Sequence, residues 1–278
     1  MNKNAMLAGI GALLTLFVSS KLGAQSPDSS DNSNGDFKPP LHYWKFDEVS
    51  DNHLSPDSGT AGHKIPATLT GAKLAPGKFG QAVDFPITGT VSIPTADKTI
   101  TFDGNVEALV TIPLDLNTLS VKGVTVSFWF KGVIPANGYS SLFDSGRKSG
   151  LEIRINSMKL IILNAAENWN FIKTPSTPAG MPDQWTHVAV TSADNKVALY
   201  VNGALVDSQE NVAAPTFQDH VTLGGIFEKG SSGLPNFTSG FVGDLDDLMI
   251  FDYVLTPDQI KSLSAGKRMP DSDAPGGL

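Results

Sequence analysis

The sequence predicts an all-β chain: a two-sheet antiparallel sandwich of jelly-roll type with one short C-terminal helix. Three observations carry that expectation. Apolar and polar residues alternate with period two over many short stretches, the pattern of half-buried strands. Turn residues separate those stretches, and Asn202-Gly203 has the two positive-φ-tolerant positions of a tight hairpin. A helix start is written once clearly, at Thr256-Pro257-Asp258-Gln259, with an N-cap Thr, Pro at the first helical position and Gln three residues on.

The chain opens with Met1-Asn2-Lys3-Asn4, an apolar run over 5–18 and small residues up to Ala24. That is the layout of a secretory signal peptide, residues 1–24, and it implies a secreted or periplasmic protein. The rival is an uncleaved membrane anchor, but the apolar run is shorter than the ~20 residues a span needs. Cleavage would remove Lys3 and Lys21 from 20 basic residues, leaving 18 against 28 acidic, so the net charge moves from −8 to −10. That balance argues against nucleic acid and anionic membrane surfaces. With no cysteine, disulfides, thiolate metal sites and a Cys nucleophile are excluded. An exported chain of this kind has a bacterial character and must rely on its core.

Residues 25–40 are Ser, Asp, Asn, Gly and Pro with one Phe, a disordered linker by composition. The tail, 266–278, is similar and is expected to be flexible. Between them, 41–265 suit one domain. Leu41-His42-Tyr43-Trp44-Lys45-Phe46 is the first strand, 47–71 is turn-rich, and 79–85 is the second strand. A long strand follows at 121–131, then 141–144, 151–155 and 159–163. A meander comes next: 185–191, a turn through Ala193-Asp194-Asn195, 196–201, the Asn202-Gly203 turn, and 204–207. Strand 221–225 precedes the last one, 241–251, giving about a dozen strands, and a helix over 257–263 should stop before Gly266.

The last strand is the oddity. Strict alternation puts Asp244, Asp246, Leu248 and Ile250 on one face, so Asp246 would point the same way as core residues. A carboxylate buried without a partner is too costly to keep, so it requires hydrogen bonds, a cation or a metal.

The ordered set Tyr43-Trp44-Lys45-Phe46-Asp47-Glu48, Asp57-Ser58-Gly59, Gly77-Lys78-Phe79-Gly80-Gln81-Ala82-Val83, Val124-Thr125-Val126-Ser127-Phe128-Trp129-Phe130, Trp185-Thr186-His187-Val188-Ala189, Tyr200-Val201-Asn202-Gly203 and Gly243-Asp244-Leu245-Asp246-Asp247-Leu248 resembles the LamG-like jelly-roll domains of the concanavalin A-like lectin/glucanase superfamily. The likeness covers 41–263. It implies that the first and last strands lie together. It also implies one structural Ca²⁺ near that seam, held by Asp57 and Asp246 with backbone carbonyls of the loop from Thr60 to His63. Hard cations take such mixed oxygen ligands. The alternative is that Asp246 accepts backbone N–H groups and holds no metal. One departure stands out: an Ile-Pro ending occurs twice, at Val91-Ser92-Ile93-Pro94 and Val110-Thr111-Ile112-Pro113. Either a hairpin has been inserted at 86–101 or the segment has been locally duplicated.

The superfamily's glucanases set paired acids at alternating positions on one strand. No such run occurs here; Glu152 is the only acid on its strand, so the chain is expected to be no enzyme. His187 is expected to bond across the sheet, and Trp44, Trp129 and Trp185 to be core. Trp169, between Asn168 and Asn170, could be a stacking platform for a glycan, or could cap a sheet edge. The reading is thus a non-catalytic binding module for polysaccharide, a cell-surface glycan or a surface protein. An envelope structural domain and a glycoside hydrolase are the alternatives.

Overall fold

The computed structural model describes residues 37–86, 89–94, 99–104, 108–118, 123–132, 139–146, 150–156, 159–164, 170–173, 184–210, 216–229 and 235–270. The expected signal peptide, the linker up to residue 36 and the tail from 271 lie outside them. Along the chain run β1 (His42–Trp44), β2 (Leu54–Ser55), β3 (Ala67–Thr70), β4 (Lys73–Pro76), β5 (Gln81–Phe85), β6 (Gly89–Pro94) and β7 (Thr99–Gly104). Next come β8 (Leu109–Ile112), β9 (Val124–Gly132), β10 (Tyr139–Asp144), β11 (Leu151–Asn156), β12 (Lys159–Asn164) and β13 (Asn170–Lys173). The meander is β14 (Thr186–Ala193), β15 (Lys196–Val201) and β16 (Ala204–Gln209), and β17 (Val221–Leu223), β18 (Ile226–Lys229), β19 (Pro235–Thr238) and β20 (Gly243–Phe251) complete the set. The turn-rich 47–71 stretch hides β2 and β3, which are too short to show an alternation; β4 follows just beyond it.

Two eight-stranded antiparallel sheets result. The first runs β16-β15-β14-β9-β20-β5-β4, with β1 also paired to β20; the second runs β13-β12-β11-β10-β17-β8-β3-β2. The first and last strands therefore do lie together, Trp44 opposite Leu248 and His42 opposite Ile250. β6 and β7 form a separate two-stranded hairpin, while β8 takes the place beside β3. The hairpin spans 89–104 and so runs three residues past the expected 86–101 segment, taking in Phe102-Asp103-Gly104.

Val126, Phe128 and Phe130 of β9 and Leu245, Leu248 and Ile250 of β20 meet Val110, Ile153 and Val221 of the second sheet in the main core. A smaller core sits on the outer face of the first sheet. There Tyr43, Ala189, Ala198, Tyr200, Met249 and Phe251 are covered by Ile260 and Leu263 of α1 (Pro257–Ser264). The capping box forms as expected: Thr256 Oγ1 accepts the Gln259 N–H (3.3 Å) and Gln259 Oε1 accepts the Thr256 N–H (2.9 Å). Asn202 and Gly203 take φ of 48° and 79°, the left-handed pair that closes a two-residue hairpin.

The ordered domain is longer at both ends than the expected 41–265. Phe37 is buried against Phe251, and Lys38 pairs with Asp252 at 3.0 Å. After α1, Arg268 is ion-paired and Met269 is buried, so residues 266–270 form a packed strap and not flexible tail. The alternation assumed for the last strand also fails. Asp247 has φ of 52°, and the pairing with β9 shifts between Asp246 and Met249. This bulge inserts an extra residue, so Leu245, Leu248 and Ile250 share the core side and Asp246 does not join them.

Candidate functional site

The bulge sits where β20 changes partner on one edge: residues 243–245 pair with β5 and residues 248–250 with β1. Asp246 and Asp247 occupy the gap, both fully buried. Asp247 Oδ1 accepts the Tyr43 hydroxyl (2.7 Å) and Arg268 Nη2 (2.9 Å), and Oδ2 accepts Arg268 Nε (3.2 Å). Arg268 Nη2 also reaches Asp47 Oδ2 at 2.9 Å, and Asp47 Oδ1 accepts the Gln81 N–H. One guanidinium thus ties the strap to β20 and to the turn after β1. Burial pushes the Asp247 carboxyl up, against the pull of Arg268 and Tyr43, and burial together with Asp247 raises the Tyr43 hydroxyl.

Asp246 is served less well. Oδ2 accepts the Phe79 N–H at 3.0 Å, while Oδ1 has no hydrogen-bond partner among the described residues. Burial first, then the charge of Asp247, pushes this carboxyl up to about 8. A carboxylic acid that keeps its proton avoids the cost of a buried anion.

Asp57 lies in a different knot. Oδ1 accepts the N–H groups of Tyr43 (3.0 Å) and Gly59 (2.9 Å); Oδ2 accepts His42 Nδ1–H (2.6 Å) and the Ile65 N–H (3.2 Å). Burial raises this group, but the bonds from His42, Tyr43 and Gly59 outweigh it and hold Asp57 below the ordinary carboxylate range. Gly59 is pressed so close to β1 that a Cβ there would stand 2.2 Å from the Leu41 carbonyl oxygen. Thr60 spends both its N–H and its hydroxyl on the Pro40 carbonyl, and His63 is exposed. Asp57 and Asp246 share no partner. With four donors Asp57 has no lone pair left for a cation, and among the described residues no group of three His, Asp or Glu side chains could cage one. The donor set does not fit the shared calcium site that the resemblance implies.

Trp169 and Asn168 lie outside the described residues, and Asn170 begins β13, the edge strand of the second sheet. His187 bonds across the sheet as expected, its Nε2 2.9 Å from Ser127 Oγ, and burial lowers its pKa to about 3, so the ring is neutral. Trp44 is core. Trp129 is buried on the outer face instead, edge-on to Phe79 and His187 with Lys78 Nζ 4.3 Å above its ring centroid.

Trp185 departs from the expectation: it is half-buried, with Lys131 Nζ 5.0 Å from its ring centroid. It heads a row that crosses the outer face of the first sheet. Lys131 lies opposite Asp244, Asp244 opposite Asp84, and Asp84 opposite Lys73. The ion pairs are 2.8 Å for Lys131–Asp244 and 3.5 Å for Lys73–Asp84. Two like charges directly opposite each other weaken a sheet, and burial with the Asp244 charge raises the Asp84 carboxyl. α1 and its strap cover one part of this face, and the row is one of the parts left partly open to solvent. Period two along β14 already aligned Trp185 with His187 and Ala189, which face outward. The Asp84–Asp244 pairing needed the register.

A third carboxylate arrangement was also beyond sequence reach. Glu152 of β11 stands opposite Asp144 of β10, both buried, with Arg154 Nη1 3.8 Å from Glu152.

Comparison with known proteins agrees with this architecture. A laminin-G-type family model, described as concanavalin A-like lectin/glucanases superfamily, matches residues 103–261, more than half of the chain. The rat protein "Sushi, von Willebrand factor type A, EGF and pentraxin domain-containing protein 1" is 26% identical over 156 residues, 52% of this chain but 4% of that protein. Among solved structures, the binding domain of botulinum neurotoxin DC in complex with rat synaptotagmin II aligns with a TM-score of 0.56 at 17% identity, over 82% of this chain and 51% of that one. The botulinum neurotoxin serotype D binding domain gives 0.58 at 16% identity, over 82% and 52%. The chain thus spans about half the length of these solved chains, and the likeness is one of fold. By its family match and its paired jelly-roll sheets, the chain belongs to the concanavalin A-like lectin/glucanases superfamily.

Proposed function

We propose that this chain is an exported, non-catalytic binding module that holds a carbohydrate on the outer face of its first sheet. The observation that carries this is the open row Trp185–Lys131–Asp244–Asp84–Lys73. An indole offers a stacking face, and two ammonium groups flanking two carboxylates offer donors and acceptors to sugar hydroxyls. The row is neutral in sum, which suits an uncharged glycan. Among the structural neighbours, one is described with rat synaptotagmin II and another, botulinum neurotoxin type C, with two ganglioside molecules. Those partners are theirs; they support the reading that this fold serves protein and glycolipid recognition. A surface protein is the second occupant to test.

The experiment is a glycan array on the processed chain, followed by titration of any hit against Trp185→Ala and Asp244→Asn. Trp185→Ala should weaken binding about tenfold, the equivalent of ~1.4 kcal/mol, while leaving the melting temperature nearly unchanged. Retention of no glycan, or binding indifferent to both substitutions, would remove the carbohydrate reading. The buried Asp144–Glu152 pair gives the hydrolase alternative its own check: reducing sugar released by the wild type and lost in Glu152→Gln would establish catalysis. Export predicts a mature N-terminus near Gln25, and mass spectrometry finding intact Met1 in a membrane fraction would refute it.

A further inference from the structure

We propose that the loop over residues 57–65 carries its own cation, the ammonium of Lys64, in the role the family resemblance gives to calcium. The reason lies in which groups of the loop are already spoken for. Lys64 Nζ donates to the Gly59 carbonyl oxygen, a backbone acceptor of the kind a hard cation would use. The two Asp57 oxygens are filled by His42 and three backbone N–H groups, so the one acid of the loop has its hydrogen-bonding capacity met without a metal. The rest of the loop is pinned to the entering chain. The Ser58 N–H donates to Tyr43 O, the Thr60 N–H to Pro40 O and the Ala61 N–H to Leu41 O. Trp44 Nε1–H closes the far end on Ile65 O at 2.8 Å.

A divalent ion and an ammonium do the same work here by different means. Each places positive charge against a backbone carbonyl oxygen of the loop, here that of Gly59. The ion must be captured from solution and brings a concentration dependence. The ammonium is covalently present, so the loop is closed at any calcium level. Its long stem lets the charge reach the carbonyl while the lysine backbone continues the chain towards Ile65.

The test measures melting temperature for wild type, Lys64→Met, Lys64→Arg and, as a surface control, Lys196→Met, each with EDTA and with millimolar calcium. Wild type should melt at the same temperature in both. Lys64→Met should melt several degrees lower, a fall expected for losing a charge-assisted hydrogen bond in a domain of this size. Lys64→Arg should recover part of it and Lys196→Met should show no change. A wild-type melting temperature that rises with calcium overturns the proposal, because the metal then binds this chain. So does a Lys64→Met variant as stable as wild type in EDTA, because the ammonium then contributes nothing.

Discussion

Replacing Arg268 by alanine should destabilise the domain by about 3 kcal/mol, the low end of what breaking a buried ion pair costs. The guanidinium makes two bonds to Asp247, which is fully buried, and one to Asp47. Removing it leaves Asp247 with the Tyr43 hydroxyl alone and strands a charge in the gap between β1 and β5. Because it sits about a third open to solvent, Arg268 is assigned the lower figure. Chemical denaturation checks this, with the midpoint falling and the slope unchanged. The double variant Arg268→Met with Asp247→Asn should recover much of the loss, since the stranded charge is then gone. Equal stability of Arg268→Ala and wild type would mean that the strap lies on the surface without holding it.

The second large effect is on the pH dependence. Asp246 titrates near 8 in the folded chain and near 3.9 when unfolded. The folded state therefore holds a proton that the unfolded state has released across the interval between those values. Stability from this group is fully present below about pH 4 and is lost as pH rises through about 8. The loss is on the order of 3 to 5 kcal/mol. Asp246→Asn should remove that slope and raise the melting temperature at pH 8 relative to wild type, because an amide oxygen still accepts the Phe79 N–H. His187 works in the other direction: its folded pKa near 3 costs stability as pH falls below about 6.5. Melting curves from pH 4 to 9 on wild type and Asp246→Asn separate the two. Parallel curves for the two proteins would show that Asp246 is ionised and satisfied in the fold.

What could be read from the sequence was local. The meander from β14 to β16 and the Thr256 capping box depend on residues a few positions apart, and both formed as written. The bulge at Asp247 was invisible, because period-two reasoning assumes an uninterrupted strand and a single left-handed residue reverses every face beyond it. Arg268 sits in a stretch whose composition says tail, and its role comes from partners at Asp47 and Asp247 that only the fold brings near. Trp185 was grouped with Trp44 and Trp129 because all three sit in strands at positions that match the family resemblance; the sheet face separates them. Asp84 and Asp244, far apart in the chain, become neighbours only through the register of β5 on β20.

The sharing of one edge of β20 by β5 and β1 also sets an order of events. Among the described residues the first strand finds its strand partner in the last one, and Tyr43 meets Asp247 across 204 positions of chain. Such a contact comes late, after the shorter-range pairings have formed. A chain still emerging from a ribosome or a translocation channel therefore cannot lock this seam, whatever else has paired. Until residues 243–268 are free, β9 and β5 lack the strand that lies between them, and each presents an edge to any strand that reaches it first.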